Sequence, residues 1–125
     1  MSCPAGQTDR VVKPDDDFEV TLYWQTSQPI SENYTAFVHL LDPEGNRVAQ
    51  HDSWPANGDA PTKAWPINQP IADLHDIKIP PTLAAGVYQV WIGMYDSQTG
   101  ERILLASDQV LFGGNWLQLT QIKVE

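Results

Sequence analysis

The sequence predicts an all-β fold, an immunoglobulin-like antiparallel β-sandwich of about seven to nine strands without a disulfide. Three observations carry that expectation. Apolar and polar side chains alternate with period two in several separate segments, as in half-buried strands whose successive side chains point to opposite faces. Clusters of Pro, Gly, Asn and Asp punctuate the segments, and these are the residues that turns select. No stretch repeats at 3.6 residues, so nothing longer than a single helical turn is expected.

The first strand is Phe18 to Gln25, with Phe18, Val20, Leu22 and Trp24 inward and Glu19, Thr21, Tyr23 and Gln25 outward. Tyr34 to Leu41 is apolar on both parities, which suits a central strand covered on both sides. Asp42-Pro43-Glu44-Gly45 reads as a type I turn with glycine at positive φ, and Asn46 to Ser53 returns as the hairpin partner. From Trp54 to Pro70 the alternation stops. Prolines at 55, 61, 66 and 70, with Asn57-Gly58-Asp59 between them, cannot sustain a ladder, so this is one long ordered loop of the kind that often carries function. Ile71 to Ile79 is the next strand, stopped by Pro80-Pro81, and Thr82 to Gly86 is expected to make one helical turn. Val87 to Tyr95 alternates with Tyr88, Val90, Ile92 and Met94 on one side. Asp96 to Gly100 turns the chain into a strand from Glu101 to Ala106, and 117–124 alternates as the last strand.

At 125 residues and 14.0 kDa the chain is expected to be one domain, residues 1–125, with 1–8 a flexible leader and 54–70 the Pro-rich loop. A hydrophobic share of 42% is too high for disorder. The net charge of −9 works against nucleic acid and anionic membranes, which demand a basic face. No run approaches the ~20 apolar residues that insertion into a bilayer needs. The one cysteine, Cys3, excludes an internal disulfide. It lies in Met-Ser-Cys-Pro-Ala-Gly, similar to a lipoprotein N-terminus but lacking the preceding apolar region. The chain is therefore expected to be excised from a longer polypeptide.

The standard catalytic signatures are missing: no G-x-S-x-G elbow, no phosphate-binding loop and no H-E-x-x-H pair. The expectation is a domain that is not an enzyme. His39 and His51 fall on adjacent hairpin strands and could approach each other beside Asp52. They lack a placeable third ligand, so partly exposed strand histidines are the better reading. The acids at 15–17, 52, 59, 73, 76, 96 and 108 sit near strand ends without the spaced pattern of a calcium loop. No cofactor is expected; structural calcium is the one alternative the loop carboxylates leave open, and solvated turn residues are the better reading. Asn33-Tyr34-Thr35 is formally a glycosylation sequon, set aside for want of a eukaryotic secretory context.

Aromatic placement says more. Trp24 and Tyr88 fall on inward parities, whereas Trp91, Tyr23 and Tyr95 fall on outward ones, and Trp54 and Trp65 bracket the long loop. Flat rings exposed on a sheet or loop can stack on the apolar C–H faces of sugars, with Asn57, Asp59, Gln69 and His51 as polar contacts to hydroxyls. The same aromatics could equally pack against a neighbouring domain or pin the loop to the core.

The runs Leu22-Tyr23-Trp24, Tyr34 to Asp42 and Val48-Ala49-Gln50-His51-Asp52 come first in a distinctive series. Pro61-Thr62 near Trp65, Ile71-Ala72-Asp73, Gly86-Val87-Tyr88, Gly93-Met94-Tyr95-Asp96 and Thr99-Gly100-Glu101-Arg102 complete it. Over residues 11–124 this series resembles the C-terminal β-sandwich domain of bacterial membrane proteins like dolichyl-phosphate-mannose mannosyltransferases, especially of Chloroflexi-type bacteria. Similar domains accompany glycoside hydrolases. The resemblance implies a fold and no catalytic residues; Tyr88 would serve as a corner tyrosine anchoring a crossover through its hydroxyl. Trp54 and Trp91 stand where that pattern has small or polar residues. The expected function is thus an accessory module, held outside the cytoplasm or at the cell surface by a larger protein. It either binds a polysaccharide or glycan through Trp54, Trp65, Trp91, Tyr23, Tyr95, Asn57 and Asp59, or serves as a structural or interaction domain against the rest of its parent.

Overall fold

A computed structural model describes residues 10–103 and 116–125. The fold is all-β. Its strands are β1 (Arg10–Val12), β2 (Asp17–Trp24), β3 (Tyr34–Leu41), β4 (Arg47–Ser53), β5 (Ile71–Lys78), β6 (Gly86–Asp96) and β7 (Leu117–Val124). Two 3₁₀ turns, Pro55–Gly58 and Thr62–Ala64, lie in the loop between β4 and β5. One sheet runs β1-β7-β6-β3-β4 and the other is the pair β2-β5. The large sheet is mixed, because β1 pairs parallel to β7 while the remaining pairs are antiparallel.

The alternation in β2 is realised fully: Phe18, Val20, Leu22 and Trp24 are all 0% exposed. Burying such a side chain contributes roughly 1.5–3 kcal/mol, which is what holds a two-stranded sheet that would be marginal alone. These side chains share one core with Ala36, Val38 and Leu40 of β3, Tyr88, Val90, Ile92 and Met94 of β6, and Ile122 and Val124 of β7. The two sheets therefore face each other across a common apolar layer. β3 is buried on both faces, as its unbroken apolar run requires, with Phe37 and His39 turned away from the core.

Turn chemistry is local. Gly45, at φ 86°, closes the β3–β4 turn through its N–H to the Asp42 carbonyl (2.9 Å), and Asp42 Oδ1 accepts the N–H of Glu44 and of Asn46. Asp96 builds the turn after β6 in the same way, accepting the N–H of Gln98 and of Thr99. The Tyr88 hydroxyl donates to the Ala84 carbonyl at 2.7 Å, the bond a corner tyrosine makes. Three expectations differ from what is found. The short parallel strand β1 had no periodic signal. Residues 82–86 form no helical turn; Pro80 and Leu83 close a hydrogen-bonded turn instead. Of the strand expected over 101–106, the described part makes a single bridge, Arg102 to Tyr95, and the rest lies outside the described residues.

Candidate functional site

The long loop is fastened at several points, and the fastenings place Trp54. Thr62, 0% exposed, donates its hydroxyl to the Glu32 carbonyl (2.6 Å) and accepts the Tyr34 N–H (3.1 Å). Trp65 is buried in the core and donates its indole N–H to the Ala60 carbonyl at 2.8 Å. Ala56 and Asn57 sit in the left-handed region at φ 55° and 54°, a conformation costing a non-glycine residue roughly 1–2 kcal/mol. The buried Asp73 offsets that cost by accepting the Ala56 N–H at 2.8 Å.

Held this way, Trp54 keeps 40% of its surface exposed and donates its indole N–H to Ser97 Oγ at 3.1 Å. It lines a cavity of about 210 Å³ together with Glu32, Asn33, Lys63, Asp96, Ser97 and Gln98. Asn33, one of the lining residues, has its Oδ1 buried without a hydrogen-bond partner among the described residues. The cavity sets one partly exposed flat ring among amide, hydroxyl and charged side chains, an apolar face with a few polar groups around it.

A second groove, also about 210 Å³, lies on the outer face of the large sheet. It is lined by Phe37, His39, Arg47, Asp52, Tyr95, Gly100 and Arg102. The strand register builds it: Phe37 of β3 pairs with Asp52 of β4 on one side and Gly93 of β6 on the other, two residues from Tyr95. Tyr95 donates its hydroxyl to Asp52 Oδ2 at 2.9 Å; burial and that bond push its phenol above the ordinary value. His39 is pushed down to about 4, chiefly by burial, with Asp52 opposing the shift and Arg47 and Arg102 adding to it. The Arg102 guanidinium lies 4.9 Å from the Phe37 ring centre and 5.0 Å from that of Trp116. The two sites adjoin, since Ser97, which holds Trp54, is also bonded to Thr35 (2.8 Å), the register partner of Tyr95.

On the inner face a third polar cluster is closed. Asp73 and His75 are both 0% exposed. Asp73 Oδ2 accepts the Trp24 indole N–H (2.9 Å) and lies 2.6 Å from His75 Nε2, while Oδ1 takes the Ala56 N–H. His75 Nδ1 faces His51 Nδ1 at 2.8 Å. Because Asp73 already accepts from a donor-only indole, the pattern assigns a proton to His75 Nε2 and a second to His51 Nδ1, which donates to His75. Burial, then the neighbouring His75, holds His51 below its ordinary pKa, consistent with one proton between the two rings.

The residues singled out in the sequence therefore scatter. Trp54 is exposed in a cavity, and Tyr95 lines the adjoining groove. Trp65 is buried and offers no stacking face. Trp91 does lie on the outer face, but Trp116 packs against it at 4.4 Å between ring centres and leaves it 9% exposed. Tyr23, 44% exposed, belongs to the outer face of the other sheet. Asn57 and Asp59 are exposed in the turn after Trp54 but do not line its cavity. His39 and His51 do not meet: His39 pairs with Gln50, so the two rings take opposite faces of the sheet. Among the described residues no group of three or more His, Cys, Asp or Glu side chains is placed to hold a metal ion. Sequence reasoning missed Asn33, Lys63, Arg47 and Arg102; the apolar outward parity of Tyr34 to Leu41 was the available hint that the outer face is built up.

The chain matches no protein-family model and no curated protein. Among solved structures, its fold is similar to part of a family 123 glycoside hydrolase from Clostridium perfringens, described for the details of glycolipid glycan hydrolysis. The TM-score is 0.56 at 13% identity over 94% of this chain, which spans 22% of that hydrolase's length. The likeness is one of fold.

Proposed function

We propose that this domain is a non-catalytic, carbohydrate-binding accessory module of a larger protein, an immunoglobulin-like sandwich displayed outside the cytoplasm, and that Trp54 is its stacking platform. The observation that carries the reading is the exposed Trp54 ring in a cavity walled by Asn33, Lys63, Ser97 and Gln98. An aromatic face takes the C–H side of a sugar ring while amides and hydroxyls bond its hydroxyl edge. The fold shared with a segment of a glycan-cleaving hydrolase supports a carbohydrate context. The bacterial membrane-protein setting rests on the sequence resemblance alone. Affinity electrophoresis across soluble polysaccharides tests the proposal: at least one should retard the domain, and Trp54→Ala should abolish the retardation. A domain that no polysaccharide retards would sink it.

A second reading, an interaction domain, is favoured by the outer face of β2–β5. There Tyr23 and Leu74 are 44% and 46% exposed, on a sheet of two strands among the described residues. Apolar groups on an uncovered sheet suit docking against another part of the parent.

A further inference from the structure

The outer-face groove gathers two guanidinium groups that form no ion pair among the described residues. The chain carries 16 acidic residues and 7 basic ones, yet two of the seven, Arg47 and Arg102, converge on one groove. Both bear on His39 electrostatically. Neither has a carboxylate within ion-pair distance among the described residues, where the lysine and arginine ion pairs are Lys78–Asp15 and Lys123–Glu125. Asp52 lines the same groove beyond ion-pair distance of either arginine, and its Oδ2 accepts the Tyr95 hydroxyl. Arg102 is instead held by the faces of Phe37 and Trp116. Stacking of that kind fixes the guanidinium plane and leaves its N–H edge free to donate.

We propose that the glycan taken by this domain is acidic, and that the Arg47–Arg102 groove receives the carboxylate of a uronic acid residue. The inference rests on the carbohydrate reading above and names its ligand class. A planar guanidinium fork matches a carboxylate bidentately, with charge-assisted bonds stronger than neutral ones. The Trp54 cavity is linked to this groove by Tyr95, its register partner Thr35, and Ser97, which bonds both Thr35 and Trp54, and an aromatic face near a cationic groove suits an acidic sugar chain. One saccharide ring stacks on Trp54 while a neighbouring ring presents its carboxylate to the arginines.

Side-chain NMR on the 125-residue chain separates the two claims, because the Trp54 indole N–H reports the cavity and the Arg47 and Arg102 Nε–H signals report the groove. An oligouronate should move all three, and its carboxyl-reduced counterpart should move Trp54 alone. Arg47→Gln and Arg102→Gln should each weaken oligouronate binding about tenfold, and Arg102→Lys should restore only part of the loss. If the oligouronate moves Trp54 but neither arginine, the acidic-ligand inference falls and the carbohydrate reading stands. Movement of the arginines alone supports the carboxylate groove and overturns Trp54 as platform. Movement of neither overturns both. Equal shifts with sodium acetate at matched concentration, or larger ones with a sulfated glycan, would also overturn the uronate assignment.

Discussion

The two faces of β3 and β4 use the same chemical materials to opposite ends. Inside, Asp73, His75 and Trp24 form a fully buried network in which each hydrogen bond named has a donor and an acceptor, and half-buried His51 closes it at the edge. Outside, Phe37, His39, Asp52, Tyr95 and two arginines share a groove in which both guanidinium groups lack an anionic partner among the described residues. A buried polar network that is fully satisfied rigidifies and positions; one removed partner leaves buried groups unpaired at high cost. A surface network with unpaired cations does little for stability and is available to a ligand. Substitutions should therefore separate the two faces by what they damage.

The largest effect is expected inside. Asp73→Ala strands the Trp24 indole, the Ala56 N–H and the His75 N–H together, and each buried donor left unpaired costs about 1–3 kcal/mol, so the total is a large share of a domain's stability. Urea denaturation measures it; a loss under 1 kcal/mol would mean the network is not what holds the loop. Next is Trp54→Ala, expected to weaken glycan binding by about 2 kcal/mol, near thirtyfold, as a central aromatic anchor does, with stability changed by about 0.5 kcal/mol or less. A matching loss of stability would place Trp54 with the inner network rather than the outer surface.

Acid should act on both faces. His39, at about 4, and His51, also lowered, bind protons less readily folded than unfolded, where histidine titrates near 6.5. Their contribution to stability is complete above about pH 6.5 and is lost as pH falls through each folded value. Denaturation midpoints should thus drop between pH 6.5 and 4, and His39→Phe should remove part of that slope. A flat profile in the unsubstituted protein would contradict the burial assigned to both rings. The smallest effect is expected on the far sheet: Tyr23→Ser should leave glycan retardation unchanged and alter stability by about 0.5 kcal/mol or less.

What the sequence made legible follows the same division. Side chains that act through period-two alternation, such as Phe18, Val20, Leu22, Trp24 and Met94, could be placed from neighbours alone. So could Tyr88, Asp42 and Gly45, whose bonds span four residues or fewer. Trp65 and Trp54 looked equivalent because both bracket a proline-rich loop. Their difference is made by Thr62 bonding 30 residues back and by Ser97 bonding 43 residues on. His51 and His75 meet only because two sheets face each other, and parity does not say which residues of facing sheets come opposite. Trp91 was correctly oriented by parity, yet its exposure depended on Trp116 from beyond the strand. Arg47 and Arg102 become a pair only through the register of three strands.

The central claim, that the outer surface binds a glycan around Trp54, is tested most directly by the Trp54 indole N–H signal during titration with soluble oligosaccharides. A saturable shift is expected with at least one of them, accompanied by no change at the buried Trp24 and Trp65 indoles. A Trp54 signal that stays fixed across neutral and acidic saccharides alike would contradict the account.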